Sequence, residues 1–420
     1  MEEAAKAAEP ARKTNPRDAA WVATTYFGQG LPWSFLHQMG TEYLTAIRAP
    51  LQQVGYTSWL HLAVWLKFIL SPPVDAYSTK RRWMVVMQFV LGAGMLVIAA
   101  ISERRDLPLW WTLMAVLALM HSMHDIASDG FYLLGLSQKD QALYVGIQVG
   151  AFRAAMLVGS GVLVWLAGKT DWRYGFGAAG VLMLLIALVN ALTLPHPFEP
   201  KRERARAEAG AAIGKRIWES NVLQSYRTFF TQPQVWLVLG FMFAFRLGVI
   251  MMFSMGKPFL RDLGIDTAMR GKLNIAGTCC LIASTIVAGG FIAKVGMRRT
   301  LIPMIYIQNF AISLYVLMAA LKPGIVGVWA IFIAEQIGSG IGQAANTVWI
   351  MQRTKRAFSA SHFAFATAVV ALASTVSGAF SGHIAARVGF VWYFAIAFLI
   401  SIPSLILVHF VPRDPIEKPA

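Results

Sequence analysis

Charge is scarce in this chain: Asp, Glu, Lys and Arg make up 14% of its 420 residues, against 57% apolar ones. A soluble domain is about 25% charged, so a fully water-facing globular fold is excluded and the bilayer becomes the natural solvent. Cysteine is nearly absent as well. Cys279 and Cys280 are adjacent inside an apolar run, which argues against a disulfide framework or a zinc site. No Walker-type glycine loop and no His-Glu-x-x-His motif occurs, so no ATP site, cofactor or metal is expected. Sustained strand-type alternation is missing too, which sets aside a β-barrel.

The chain has long apolar runs instead. Twelve segments, at about 20–39, 53–72, 83–101, 108–134, 141–167, 174–194, 234–256, 273–294, 299–320, 325–351, 359–385 and 389–411, reach the length needed for a helix to cross the hydrocarbon. Backbone polar groups in lipid must pair within the segment, so these read as helices. The expected fold is an all-α membrane protein of twelve transmembrane helices in two six-helix halves, 20–194 and 234–411, joined by a cytoplasmic linker, 195–233. The tails, 1–19 and 412–420, read as cytoplasmic, and no cleavable signal peptide is apparent.

Basic residues fix the expected orientation. The net charge of +16 is scattered between apolar runs and does not suggest nucleic acid. With both termini inside, 23 of the 37 Lys and Arg fall on the cytoplasmic side and 11 outside, the excess that the positive-inside rule requires. The linker "KRERARAEAGAAIGKR" could lie as a basic amphipathic helix on anionic lipid.

Within the spans, charge is costly and points to function. In "HSMHDIASDGFYLLG", His121, Asp125 and Asp129 recur every fourth residue and so share one helix face. Asp125 and Asp129, with His121, are candidate proton carriers. Asp125 could equally form a static ion pair, with Arg153 of the next span as the expected partner. His121, His124 and Asp125 could also be read as metal ligands, but no metal motif accompanies them. Gln29, Trp33 and His37 in "YFGQGLPWSFLHQMG" are spaced as a cavity lining, where Trp33 either stacks on a sugar ring or anchors the helix at the interface. Gly28, Gly30 and Pro32 should loosen that helix. Lys67 either snorkels or faces the cavity. In the second half, Arg246 is too deep to snorkel and suits an anionic group, whereas Lys257 reads as solvated. Glu335 is a further proton-carrier candidate beside Gln336, Gln343 and Asn346, whose amides suit a polyhydroxylated or peptidic solute. Gly338, Gly340 and Gly342 permit close helix packing.

The two halves echo each other after their second spans. "SPPVDAYSTKRRW" places Asp75 before Lys80, Arg81 and Arg82, and "GGFIAKVGMRRT" places Lys294 before Arg298 and Arg299. This resembles the loop signature of the major facilitator superfamily, with Ser71 and Lys294 departing from the usual glycine and acid. The resemblance makes Asp75, Arg81, Arg82, Arg298 and Arg299 gating candidates, although the basic residues also serve as topology anchors.

Five segments carry a narrower likeness: "GQGLP" at 28–32, "WLKFILSPPVD" at 65–75, "RRWMVVMQ" at 81–88, "HDIASD" at 124–129 and "KRAFSASHFAF" at 355–365. They resemble the AmpG-type muropeptide permeases over residues 20 to 412. What the resemblance implies is a monomeric transporter in the bacterial inner membrane, lipid-embedded and not an enzyme. It would import a sugar-peptide, an anhydromuropeptide, together with protons, for peptidoglycan recycling. The family's span-four acids would be Asp125 and Asp129. Its span-seven pattern, a basic residue then Leu-Gly and an acid, reads here "RLGVI", with Arg246 kept and Val249 in place of the acid. That departure leaves open another anionic or amphipathic solute, such as a siderophore, peptide or coenzyme-A derivative, and export in place of import.

Overall fold

A computed structural model describes residues 16–67, 70, 74, 78–136, 138–195, 229–353 and 359–414, which are helical nearly throughout and include no strand. Asp75, most of the linker and the ends of both tails lie outside the described residues.

In chain order, α1 (Pro16–Ser34) runs into a π-helical turn (Phe35–Met39) and α2 (Gly40–Ala46). Next come α3 (Leu51–Tyr56), a 3-10 turn (Thr57–His61) and α4 (Leu62–Trp65). Then follow α5 (Lys80–Ile101), α6 (Leu107–Gly135), α7 (Gln138–Leu157), a second π-helical turn (Val158–Leu163), α8 (Val164–Lys169) and α9 (Trp172–Thr193). The remaining helices are α10 (Val235–Asp262), α11 (Thr267–Val295), α12 (Met297–Leu321), α13 (Ile325–Gln352) and α14 (Ser359–Leu407).

Among the described residues eight helices, not twelve, are long and apolar enough to cross a membrane. The shortfall has physical causes. The first two expected spans are interrupted by the π and 3-10 turns. α6 has the length, 29 residues, but carries His121, His124, Asp125 and Asp129. The expected spans 359–385 and 389–411 meet inside α14 at Gly389, whose φ of 75° breaks the helical path.

Polar side chains mark the helix starts. Thr79 accepts from the Arg82 amide at 3.2 Å, Asp106 from Leu109 at 3.1 Å, and Asp266 from Met269 at 2.7 Å. Each satisfies an N-terminal amide that no carbonyl of its own helix can reach. Gly296, at φ 90°, turns α11 into α12 in a single residue, a conformation that a Cβ would oppose.

The described residues group into two compact units. The first draws on Met1–Phe35, Leu66–Gly159 and Trp172–Arg206, the second on Leu36–Trp65, Ser160–Asp171 and Ala207–Ala420. In the first, Trp21, Tyr26, Met84, Phe131 and Tyr132 form the core. Gly30 does not unwind α1. It lets α1 lie directly on α7, where an added methyl would sit 2.6 Å from the Phe152 carbonyl oxygen. The irregularity follows Pro32, in the Phe35–Met39 turn.

In the second unit, Phe241, Phe245, Leu301, Ile305 and Trp349 form the core, and Trp349 donates to the Pro412 carbonyl at 2.9 Å. Segments 36–65 and 160–171 belong to this unit because they pack closely on its helices. A methyl on Gly55 would come within 3.0 Å of Gly378 and Gly382 backbone atoms of α14.

Candidate functional site

α6 carries the polar face of the first unit. Asp125 is paired with Lys67, not with Arg153 as the sequence suggests. The reason is packing. α7 lies mainly on α1 and makes little contact with α6 despite following it in sequence. Arg153, half-buried on α7, directs Nη1 at the Met156 sulfur, 4.0 Å away. The Lys67 side chain keeps 32% of its surface and that of Asp125 13%. A partly exposed ion pair on a largely apolar helix belongs beside a polar opening, because hydrocarbon contact would cost several kcal/mol.

One turn further on, Asp129 is exposed and accepts from the Tyr26 hydroxyl at 3.2 Å. One turn back, His121 is buried, and its Nδ1 has no hydrogen-bond partner among the described residues; the same holds for Ser122 Oγ. On α1, Gln29 is buried with its Oε1 unpartnered among the described residues, and Trp33 lies half-buried with its ring 6.2 Å from Phe152.

A second polar chain crosses the interior of this unit. Thr24 donates to Asn190 at 2.7 Å, Asn190 to Gln88 at 3.1 Å, and Gln88 and Ser128 meet His124 Nε2 at 3.1 and 3.3 Å. It ties α1, α9, α5 and α6 together, the use polar side chains commonly have between membrane helices. Sequence reading singles out neither Gln88 nor Asn190. Their only signal is a lone amide within an apolar run.

Arg81 donates to the Ala191 and Leu194 carbonyls at 2.6 and 3.3 Å, completing the C-terminal end of α9. Arg82, Arg298 and Arg299 are exposed, and Asp75 lies outside the described residues.

In the second unit Arg246 Nε donates to Ser374 Oγ at 3.4 Å. Glu335 is fully buried and accepts from Ser339 Oγ at 2.5 Å and Gln336 Nε2 at 2.8 Å. Asn346 is buried with Oδ1 unpartnered among the described residues, and Gln343 is half-buried. His37 does not continue the face of Gln29 and Trp33. The π turn inserts an extra residue per turn, and His37 stacks on His61 with ring centres 3.9 Å apart.

The most heavily bonded charge cluster is absent from the sequence reading. Arg270 Nε donates to Glu42 Oε2 at 2.8 Å, with side chains 2% and 0% exposed. Arg270 also donates to the Ile265 carbonyl at 2.7 Å and to Thr267 Oγ1 at 3.1 Å, while Asn274 reaches Glu42 Oε1 at 3.3 Å and the Ser160 carbonyl at 3.0 Å. Beside it, Lys257 is not simply solvated, since Nζ donates to the Gln38 carbonyl at 2.9 Å. No group of three or more His, Cys, Asp or Glu side chains able to hold a metal occurs among the described residues.

The helical architecture and charged interior find their match in a family model, Major Facilitator Superfamily, over residues 21–361. The chain belongs to the major facilitator superfamily. It is therefore a multi-pass membrane protein and a secondary transporter. Within the superfamily, the anhydromuropeptide permease of Escherichia coli strain K12 is 23% identical over 388 residues, covering 91% of this chain and 77% of that protein. A putative transporter AmpG 4 of Rickettsia conorii is 20% identical over 360 residues, covering 82% and 84%. An autoinhibited POT-family peptide transporter superposes with a TM-score of 0.70 at 12% identity, over 96% of this chain and 99% of that one. A D-xylose–proton symporter gives 0.66 at 14% identity, over 94% and 98%. At those identities the structural likeness shows the fold alone.

Proposed function

We propose that this transporter is a proton-driven importer of anhydromuropeptides across a bacterial inner membrane, with twelve spans in two six-helix halves and both termini in the cytoplasm. The observation that carries the coupling is the partly exposed pair between Lys67 and Asp125 of α6. The solute class is taken from the Escherichia coli relative that aligns with 91% of the chain at 23% identity.

Lys67 can neutralise one carboxylate at a time. A proton on Asp125 cancels its charge and frees the ammonium for a carboxylate of the solute's peptide. Proton and solute then load together, because neither arrangement leaves a buried charge without a partner. Arg153, without an acidic partner among the described residues, is a second site for a peptide carboxylate. Trp33 and Gln29 would meet the sugar rings. Asp129 and His121 extend the proton path; in the second unit Gln336, Gln343, Asn346 and Arg246 are solute-binding candidates, and Glu335 is a second proton carrier. Arg81, Arg82, Arg298, Arg299 and Asp75 serve the cytoplasmic gate. In the same topology the Glu42–Arg270 cluster lies on the outer side, where it joins two segments of the second unit.

The test is uptake of radiolabelled GlcNAc-anhydroMurNAc-peptide into proteoliposomes under an inward proton gradient. Gradient-dependent uptake by wild type and its loss in Asp125→Asn are expected. No uptake by active protein would sink the muropeptide reading while leaving the superfamily assignment intact. A second reading, another anionic solute, is favoured by Val249 at the position where the resembled family keeps an acid. Competition by a panel of peptides and siderophores distinguishes the two.

A further inference from the structure

A groove on the second unit has a single gating candidate, Arg299, in an otherwise uncharged lining. α11 and α12 are consecutive, yet each packs on α13 and barely on the other. The small residues of α13 divide between them. Gly342 and Gly338 meet Gln308 and Ala311 of α12, and Gly340 meets Ser284 of α11. Between the splayed helices runs a groove of about 790 Å³, floored by Ile337 and Ile341 and walled by Val287, Phe291 and Pro303, with Arg299 at one end.

Its shape and chemistry are those of an amphiphile's site. From Cys280 to Val295, both on the wall, α11 rises about 22 Å at 1.5 Å per residue. One leaflet's share of the hydrocarbon is only about 15 Å deep. Val287 and Phe291 are 72% and 53% exposed, so the wall is open to whatever surrounds the helices. Arg299 is the one charged residue of the lining, and Arg298 and Lys294 are exposed within the same turn region. A guanidinium at the end of an apolar groove, with two further cations close in sequence, fits a phosphate ester, which it can bind with two parallel hydrogen bonds. Basic pockets between membrane helices hold anionic headgroups on the same principle.

We infer that the α11–α12–α13 groove binds an anionic phospholipid, its acyl chain along Val287 and Phe291 and its phosphate on Arg299. A packed protein helix would have no need of the terminal cation, and a water-soluble anion no use for the apolar wall. The site gives Arg299 a lipid contact in addition to the gating role proposed above, and it stands whatever the transported solute is.

Native mass spectrometry of the full-length protein tests it, after delipidation and addition of equal phosphatidylglycerol and phosphatidylethanolamine with matched acyl chains. Wild type should retain phosphatidylglycerol about fivefold over phosphatidylethanolamine, whose own ammonium offsets its phosphate, the factor expected of one basic contact with a net anionic headgroup. Arg299→Ala should bring that ratio to about one, and Arg299→Lys should restore most of it. Ala283→Trp, at an exposed lining position, should cut retention of both lipids severalfold while leaving helicity and elution unchanged. Equal retention of the two lipids by wild type, or an unchanged ratio in Arg299→Ala, overturns the headgroup site. Undiminished retention in Ala283→Trp overturns the groove, and a dimer lost in that variant would assign the face to a second copy instead.

Discussion

Lys67–Asp125 in the first unit and Arg270–Glu42 in the second join the same kinds of charge in opposite settings. The first pair keeps 32% and 13% of its side-chain surface, and no hydrogen bond from a neighbouring side chain supplements it among the described residues. The second keeps 2% and 0%, and carbonyl, hydroxyl and amide groups bond both remaining guanidinium nitrogens and the second carboxylate oxygen. A pair that must exchange its partner for a proton or a solute has to stay accessible and lightly bonded. A pair that holds helices together gains from desolvation only when every remaining hydrogen-bonding group is met.

Breaking the buried pair should have the largest effect. Glu42→Ala strands the Arg270 guanidinium, and a loss of about 3–5 kcal/mol is expected. In detergent the variant should melt well below wild type, whereas Glu42→Leu with Arg270→Met should recover most of the loss. A single variant as stable as wild type would remove the distinction between the pairs. Next, Gly30→Val places a side chain against the Phe152 carbonyl. It should cost about 1–3 kcal/mol by overpacking, locating the first unit's stability in helix contact and not in its ion pair. Loss of the α6 cap in Asp106→Ala should cost about 1 kcal/mol, seen as a small drop in melting temperature. Smallest of all, Asp125→Asn should change stability by no more than about 1 kcal/mol, because its partner remains partly exposed. A melting shift comparable to that of Glu42→Ala would show that Asp125 is structural.

Much of the fold is legible in the sequence because it is a matter of apolar length. The expected 108–134 and 325–351 match Leu107–Gly135 and Ile325–Gln352 to within a residue at each end. The π turn at Phe35–Met39 is not legible, since it is a register change without a local composition signal, and it separates His37 from the face of Gln29 and Trp33. The candidate acids are legible too, as charge in an apolar segment marks Asp125 and Asp129 without any knowledge of their neighbours. Partners are harder. Sequence proximity favours Arg153 for Asp125, but α7 turns to α1, and the cation comes from Lys67 on an earlier segment. Glu42 and Arg270 are 228 positions apart, and each alone reads as a helix-end charge. Only the packing of distant segments makes them a pair.

Solute-induced proton movement tests the central claim most directly. Proteoliposomes carrying a pH-sensitive dye in the lumen receive GlcNAc-anhydroMurNAc-peptide, with wild type, Asp125→Asn and the Glu42→Leu/Arg270→Met double variant compared at equal protein. The lumen should acidify with wild type, and Asp125→Asn should abolish that signal while remaining folded. Acidification undiminished in Asp125→Asn would contradict the assignment of the open pair as the coupling switch.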